Sequence, residues 1–218
     1  MTSIENPEHQ HSPVVQAALD LSRHVTDLIQ QNFPTSFVLE GRHHVAAALF
    51  SIALSHREAA LALAHLGAWT SVSALSRSIY EAYTRGYHAQ YCLTDEQYER
   101  MVSNKASPKF ETIISDVKNL GADHEAFANT KRLVWGSLSD YSHGGVLQLE
   151  RWISSGSIEP TYSDEEVIDM LWFADMHGLH SRIQVARLAK ADDSAFRQAA
   201  GNLIATARAQ QMAKSTPS

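Results

Sequence analysis

A single cysteine, Cys92, in 218 residues excludes an intrachain disulfide and suits a reducing compartment. It also leaves any structural zinc site to histidines and carboxylates. Glycine (10) and proline (6) are scarce, while alanine and leucine abound, which excludes a turn-rich β-protein and favours a helical one. Basic charge is short as well. Eighteen Lys and Arg against 24 Asp and Glu leave a net charge of −6, so no global positive field draws the chain to nucleic acid or an anionic membrane. A nucleic-acid role would need a local cationic patch, or one completed at an oligomer interface. Long hydrophobic runs are missing too. The most apolar stretch, Val45 to Leu54, reaches His56-Arg57-Glu58 too soon to span a bilayer. Met1 to Pro13 is polar and acidic, unlike a signal peptide. The expectation is a soluble cytoplasmic protein with no membrane partner.

Several motifs are also absent: Gly-x-x-x-x-Gly-Lys, Gly-x-Gly-x-x-Gly, Gly-x-Ser-x-Gly and His-Glu-x-x-His. No cofactor and no metal site are therefore expected. His43-His44 and the pair His177 and His180, with Asp175 nearby, keep a metal-dependent bundle enzyme only as a third reading.

What is present is helical. Ser12-Pro13 opens a helix that Pro34 stops, so the first should cover about Pro13 to Asn32. A second, from near Ser36 to His65, is apolar almost all round. Glu40, His44, Ser51, Ser55 and Glu58 form its narrow polar strip, and His56 is expected on the buried side with Val45, Leu49, Ile52 and Leu63. The third, Thr70 to Leu93, places Val72, Leu75, Ile79, Ala82, Gly86, Ala89 and Leu93 on its core face. Thr94 with Gln97 reads as a capping box for a fourth helix. Ser107-Pro108 opens a fifth, which Gly121 closes, and Asp123 caps a sixth ending at His143. Val146 to Ile153 is a short helix or an extended connector. Ser163 to Glu166 is a second capping box, opening a helix to about Ala191, and the last runs from Asp193 or Ser194 to Met212. The expected fold is a single all-α domain over residues 1–218, a bundle of about seven to eight helices. Its tails would be 1–12 and 213–218, with a short β-hairpin possible near 153–161.

Two clusters carry candidate chemistry. Arg77, Glu81, Arg85 and His88 recur at helical spacing opposite the core face. They read either as a solvated stripe of ion pairs or as an anion clamp, with Glu81 orienting an arginine. Tyr80, Tyr83, Tyr87 and Tyr91 flank them, as a ring-lined wall for a planar ligand or as packing residues. The other cluster is Leu138-Ser139-Asp140-Tyr141-Ser142-His143-Gly144-Gly145, followed by Gln148 and Arg151. His143 sits at a helix C-terminus, whose negative end favours a protonated ring. Arg132 and Ser139 share its face. A plain capping role for His143 fits the same position.

Ala74-Leu75-Ser76-Arg77-Ser78-Ile79-Tyr80-Glu81-Ala82 together with Leu138 to Gly144 resembles bacterial helical proteins of unknown function. These are similar to distant members of the HEPN-like superfamily, which includes abortive-infection and toxin ribonucleases. The resemblance covers roughly Val45 to Arg151. It implies His143 as the catalytic histidine, with Arg77 and Glu81 as an inward-facing polar pair supporting it; on that reading Arg77 and Arg85 are expected on phosphate, and Tyr80, Tyr141, Gln148 and Arg151 around the ligand in the cleft. It further implies a homodimer that binds RNA or a nucleotide and cleaves RNA in phage defence. The ribonuclease members carry an arginine on the histidine's own helix, a turn or two earlier. Here Gly136, Ser137 and Leu138 stand there, and Arg132 is about 16 Å away along the axis. Another helix would have to supply the cation. The alternative is a non-catalytic interaction or antitoxin-like module with a cognate protein partner.

Overall fold

The computed structural model describes residues 10–31, 33, 37–104, 107–153 and 160–215, without the side chains of residues 104, 123 and 208–215. Within them run nine α-helices and no strand: α1 (Pro13–Gln30), α2 (Gly41–His65), α3 (Trp69–Tyr91), α4 (Asp95–Asn104), α5 (Phe110–Lys118), α6 (Glu125–His143), α7 (Val146–Ile153), α8 (Asp164–Leu188) and α9 (Ser194–Ser215). A 3₁₀ turn, Ala122–His124, leads into α6.

The end signals work as local chemistry requires. Ser12 Oγ accepts from the Val15 amide at 3.2 Å, with Pro13 in the first turn. Thr94 and Gln97 cap α4 reciprocally, and Ser163 with Glu166 does the same for α8. Gly144 ends α6 in the left-handed region at φ 66°.

One helix start differs from expectation, and one open alternative is decided. Helix α2 starts at Gly41, so Phe37 to Glu40 is not helical. The stretch Val146–Ile153 is a helix, which brings the count among described residues to nine. Of the hairpin expected near 153–161, residues 154–159 lie outside the described residues; Ile153 is helical, and Pro160 and Thr161 are not strand.

Helix α3 is the axis of the bundle, packing on α2, α5, α6 and α8, most extensively on α2. Gly86 makes that closeness possible: a Cβ there would lie 2.8 Å from the Phe50 ring. Helix α2 buries Ala46, Phe50, Ala53, Leu54, Arg57, Ala60 and Ala64. His56 is only partly covered and Ile52 is exposed, which corrects the expected buried side. The helix is apolar all round, so its own pattern has almost no direction, and close approach selects the alanine-rich side. By length and composition α2 is also the one described helix apolar enough to cross a membrane, a threshold its ten-residue run alone does not suggest. Its packing against α3 and α8, with Arg57 ion-paired at its centre, is that of a core helix.

Candidate functional site

Where α6 crosses the first half of α3, four polar side chains meet. Arg77 and Glu81 sit one turn apart on α3 and Ser139 and His143 one turn apart on α6, so each helix presents its pair on one face. Arg77 Nη1 donates to His143 Nε2 at 2.8 Å and to Ser139 Oγ at 3.2 Å. Its Nη2 lies 3.5 Å from Glu81 Oε1. The guanidinium rests on Trp135, 4.5 Å from the ring centroid. Trp135, Ser139 and His143 recur every fourth residue, so the platform, the hydroxyl and the imidazole form one stripe of α6. That spacing was readable, but Trp135 was not singled out. Arginine always carries its protons, so His143 receives this bond as the neutral ring, with Nε2 accepting. His143 is exposed, whereas Arg77 and Glu81 are half-buried at 22% and 28%. The pair therefore opens to solvent on the imidazole side.

The stripe Arg77, Glu81, Arg85, His88 is not a solvated face, because α5 and α6 cover it. His88 is buried and its Nε2 lies 3.0 Å from Asp116 Oδ2 on α5. Arg85, two turns beyond Arg77, donates to Ser107 Oγ and the Pro108 carbonyl and lies over Phe110, apart from His143. Tyr80 is not a cleft wall either. It is 1% exposed, its hydroxyl donates to the Phe127 carbonyl at 2.8 Å, and burial pushes the phenol up to about 12.

The residues after the double glycine serve α7. Gly145 has no room for a side chain, since a Cβ would stand 2.6 Å from the Asp140 carboxylate. That carboxylate accepts from the Leu147 amide at 3.4 Å, at the start of α7. Arg151 donates to Glu166 on α8 and lies over the ring of Tyr162, just before that helix. These contacts point to α8 rather than to His143. Gln148 lies close to Gly144, its Oε1 3.8 Å from where a Cβ would be. Asp123, the expected cap of α6, has no described side chain; the residue before the helix, His124, makes no side-chain cap bond.

Two further groups take roles that the sequence did not assign to them. Arg57, 1% exposed, places Nε and Nη2 on Asp175 Oδ1 at 2.9 and 2.6 Å. It also bonds Thr26 and the Ser22 carbonyl, while Ser22 Oγ donates to Asp175 Oδ2 at 2.5 Å. Burial pushes the Asp175 carboxyl up, against the pull of Arg57 and Ser22. An arginine inside an apolar helix advertises no partner, so only tertiary contact reveals this network. His177 donates Nδ1–H to the Phe173 carbonyl at 2.7 Å, and its enclosure pulls the ring down to about 4. Burial holds the Cys92 thiol up at about 11, so it is a poor nucleophile. No three metal-ligating side chains converge among the described residues.

Residues 50–204 match the model of a family described as a family of unknown function, DUF6988. The chain belongs to this family. No curated protein and no solved structure matches it. The DUF6988 span holds Arg77, Glu81, Trp135, Ser139, His143 and Arg151, with most of α2 and all of α3 to α8, whereas α1 lies outside it.

Proposed function

We propose that this chain is a HEPN-like helical protein that binds RNA or a nucleotide at the crossing of α3 and α6, and that it cleaves RNA without a metal ion, in a defence or toxin setting. The observation that supports it most is the 2.8 Å contact between Arg77 and His143. The arginine missing from the histidine's own helix is replaced by one from α3. When a phosphate arrives, its oxygens take the Arg77 N–H groups, and His143 Nε2 is freed to accept the proton of the 2′-hydroxyl. The O2′–P bond forms, Arg77 stabilises the charge on the phosphorane, and the P–O5′ bond breaks. O5′ leaves with a proton from solvent water, while His143 gives its own back to solvent, and the products are a 2′,3′-cyclic phosphate and a 5′-hydroxyl. Glu81, Ser139 and Trp135 hold the guanidinium in place.

Labelled single-stranded RNA with excess chelator tests this. Wild type should leave cyclic-phosphate ends, and His143→Ala and Arg77→Ala should each lose about 10²–10⁴ of the rate. Equal loss of RNA in wild type and His143→Ala overturns the catalytic role.

A second reading, a non-catalytic module docking a second copy or a cognate protein, is favoured by α7. This helix turns Arg151 toward α8 but leaves Val146, Leu149 and Ile153 exposed. An outward apolar stripe of this kind marks an interaction surface. The homodimer belongs to both readings, and light scattering on wild type and Leu149→Asp checks it: a mass of twice 24.1 kDa that falls to one chain in the variant.

A further inference from the structure

The tyrosines of α3 continue past the Arg77–His143 pair into a seam with α8. Tyr83, Tyr87 and Tyr91 on α3 face His180, Gln184 and Arg187 on α8, both sets at spacings that keep them on one side of their helices. His180 stacks on Tyr83 with centroids 6.0 Å apart, and Tyr87 and Tyr91 lie 4.5 Å apart. Tyr91 donates to Gln184 Oε1 at 2.8 Å, and Arg187 Nη1 stands 3.5 Å from the Tyr91 hydroxyl.

The seam is closed at one end and open at the other. Tyr83 is buried, whereas Tyr91 is 38% exposed and both His180 and Arg187 face solvent. No side-chain hydrogen bond joins the His180 ring to another described residue. Arg187 reaches the Tyr91 hydroxyl and makes no ion pair with a described carboxylate; Asp193, which acts on it electrostatically, is paired with Arg197 at 3.0 Å. Exposed rings beside an arginine without an acidic partner form a stacking platform with a phosphate contact, the combination that single-stranded nucleic acid requires.

We propose that this open end binds a nucleotide of single-stranded RNA, with Tyr91 and His180 stacking on bases and Arg187 holding a phosphate. The inference rests on the RNA-binding reading and gives it a second contact. Arg77 and Tyr91 are fourteen residues apart on α3, which is about 21 Å along the axis and roughly 40° around it. A strand of several nucleotides has the length to span that distance, within the usual size of such sites.

Fluorescence anisotropy with labelled dodecamers of uridylate and of adenylate, in a His143→Ala background that leaves the RNA intact, tests the platform. Tyr91→Ala and Arg187→Gln should each weaken binding about tenfold, and Tyr91→Phe should keep it. Arg187→Gln should also lower the slope of log affinity against log salt by about one. Unchanged melting confirms that the variants fold. If Tyr91→Ala and Arg187→Gln bind as tightly as the parent, or if the parent binds neither dodecamer, the inference is wrong. The two proposals fail separately. RNA held through Tyr91 and Arg187 but never cleaved removes the chemistry and leaves this site. RNA cleaved through His143 with both variants silent in affinity and rate does the reverse.

Discussion

The Arg77 guanidinium is fixed by Trp135 beneath it, Glu81 along its own helix and Ser139 and His143 across on α6. A lysine at that position keeps the charge but loses the planar stack and the fork that reaches two acceptors at once. Arg77→Lys should therefore lower the proposed RNA cleavage by at least about tenfold while shifting the melting temperature by only a few degrees; unaltered cleavage would reduce Arg77 to a bulk charge. At Arg57 the expectation is opposite, an effect on stability alone. Removing its partner in Asp175→Ala leaves a buried cation beside apolar neighbours and should cost about 3–5 kcal/mol in urea unfolding. The paired Arg57→Met, Asp175→Leu variant should cost clearly less, because both charges leave together. A double variant as damaged as the single would show that packing, not charge, dominates there. Residue types alone made Arg77 and His143 candidates, but they gave no hint of Arg57, which lies in an otherwise apolar run with no local partner.

Among the elements, the α6–α7 turn depends on its two glycines for different reasons. Gly144 needs the left-handed conformation, and Gly145 needs the space that the Asp140 carboxylate occupies. Gly144→Ala should cost about 1 kcal/mol from backbone strain. Gly145→Ala should cost more, since the carboxylate must leave the start of α7. Loss of α7 protection in hydrogen exchange would report that change; equal and small effects in both variants would contradict the distinction. Helix ends like this one were legible beforehand, because a cap is made by residues within one turn of each other. Ser12, Thr94, Ser163 and Gly144 all act where the sequence places them. The start of α2 was not legible: Phe37 to Glu40 suits a helix by composition, and Gly41 at φ 55° begins it instead.

For the molecule as a whole, acid should act through His177, which Phe173, Tyr80 and Tyr83 enclose. Its ring titrates near 4 when folded, against 6.5 for an unhindered histidine. Between those values the unfolded chain binds a proton that the folded chain refuses, so stability rises with pH across that window and falls as pH drops through it. The loss from pH 7 to pH 4 is on the order of 2–3 kcal/mol. His177→Phe should flatten the dependence of the urea midpoint on pH, and an equally steep variant would place the acid sensitivity elsewhere. By itself the sequence determined that the chain is helical, where most helices begin and end, and that Arg77 and His143 each belong to a polar stripe of their own helix. These follow from composition, capping and a 3.6-residue period, all of them local. Only the tertiary structure decided which arginine meets His143, that Tyr80 is packing while Tyr91 opens to solvent, and that α2 turns Arg57 inward and leaves His56 partly covered. A period shows which residues share a face, but the partner of that face comes from another helix, 118 residues away for Arg57, and packing alone chooses it.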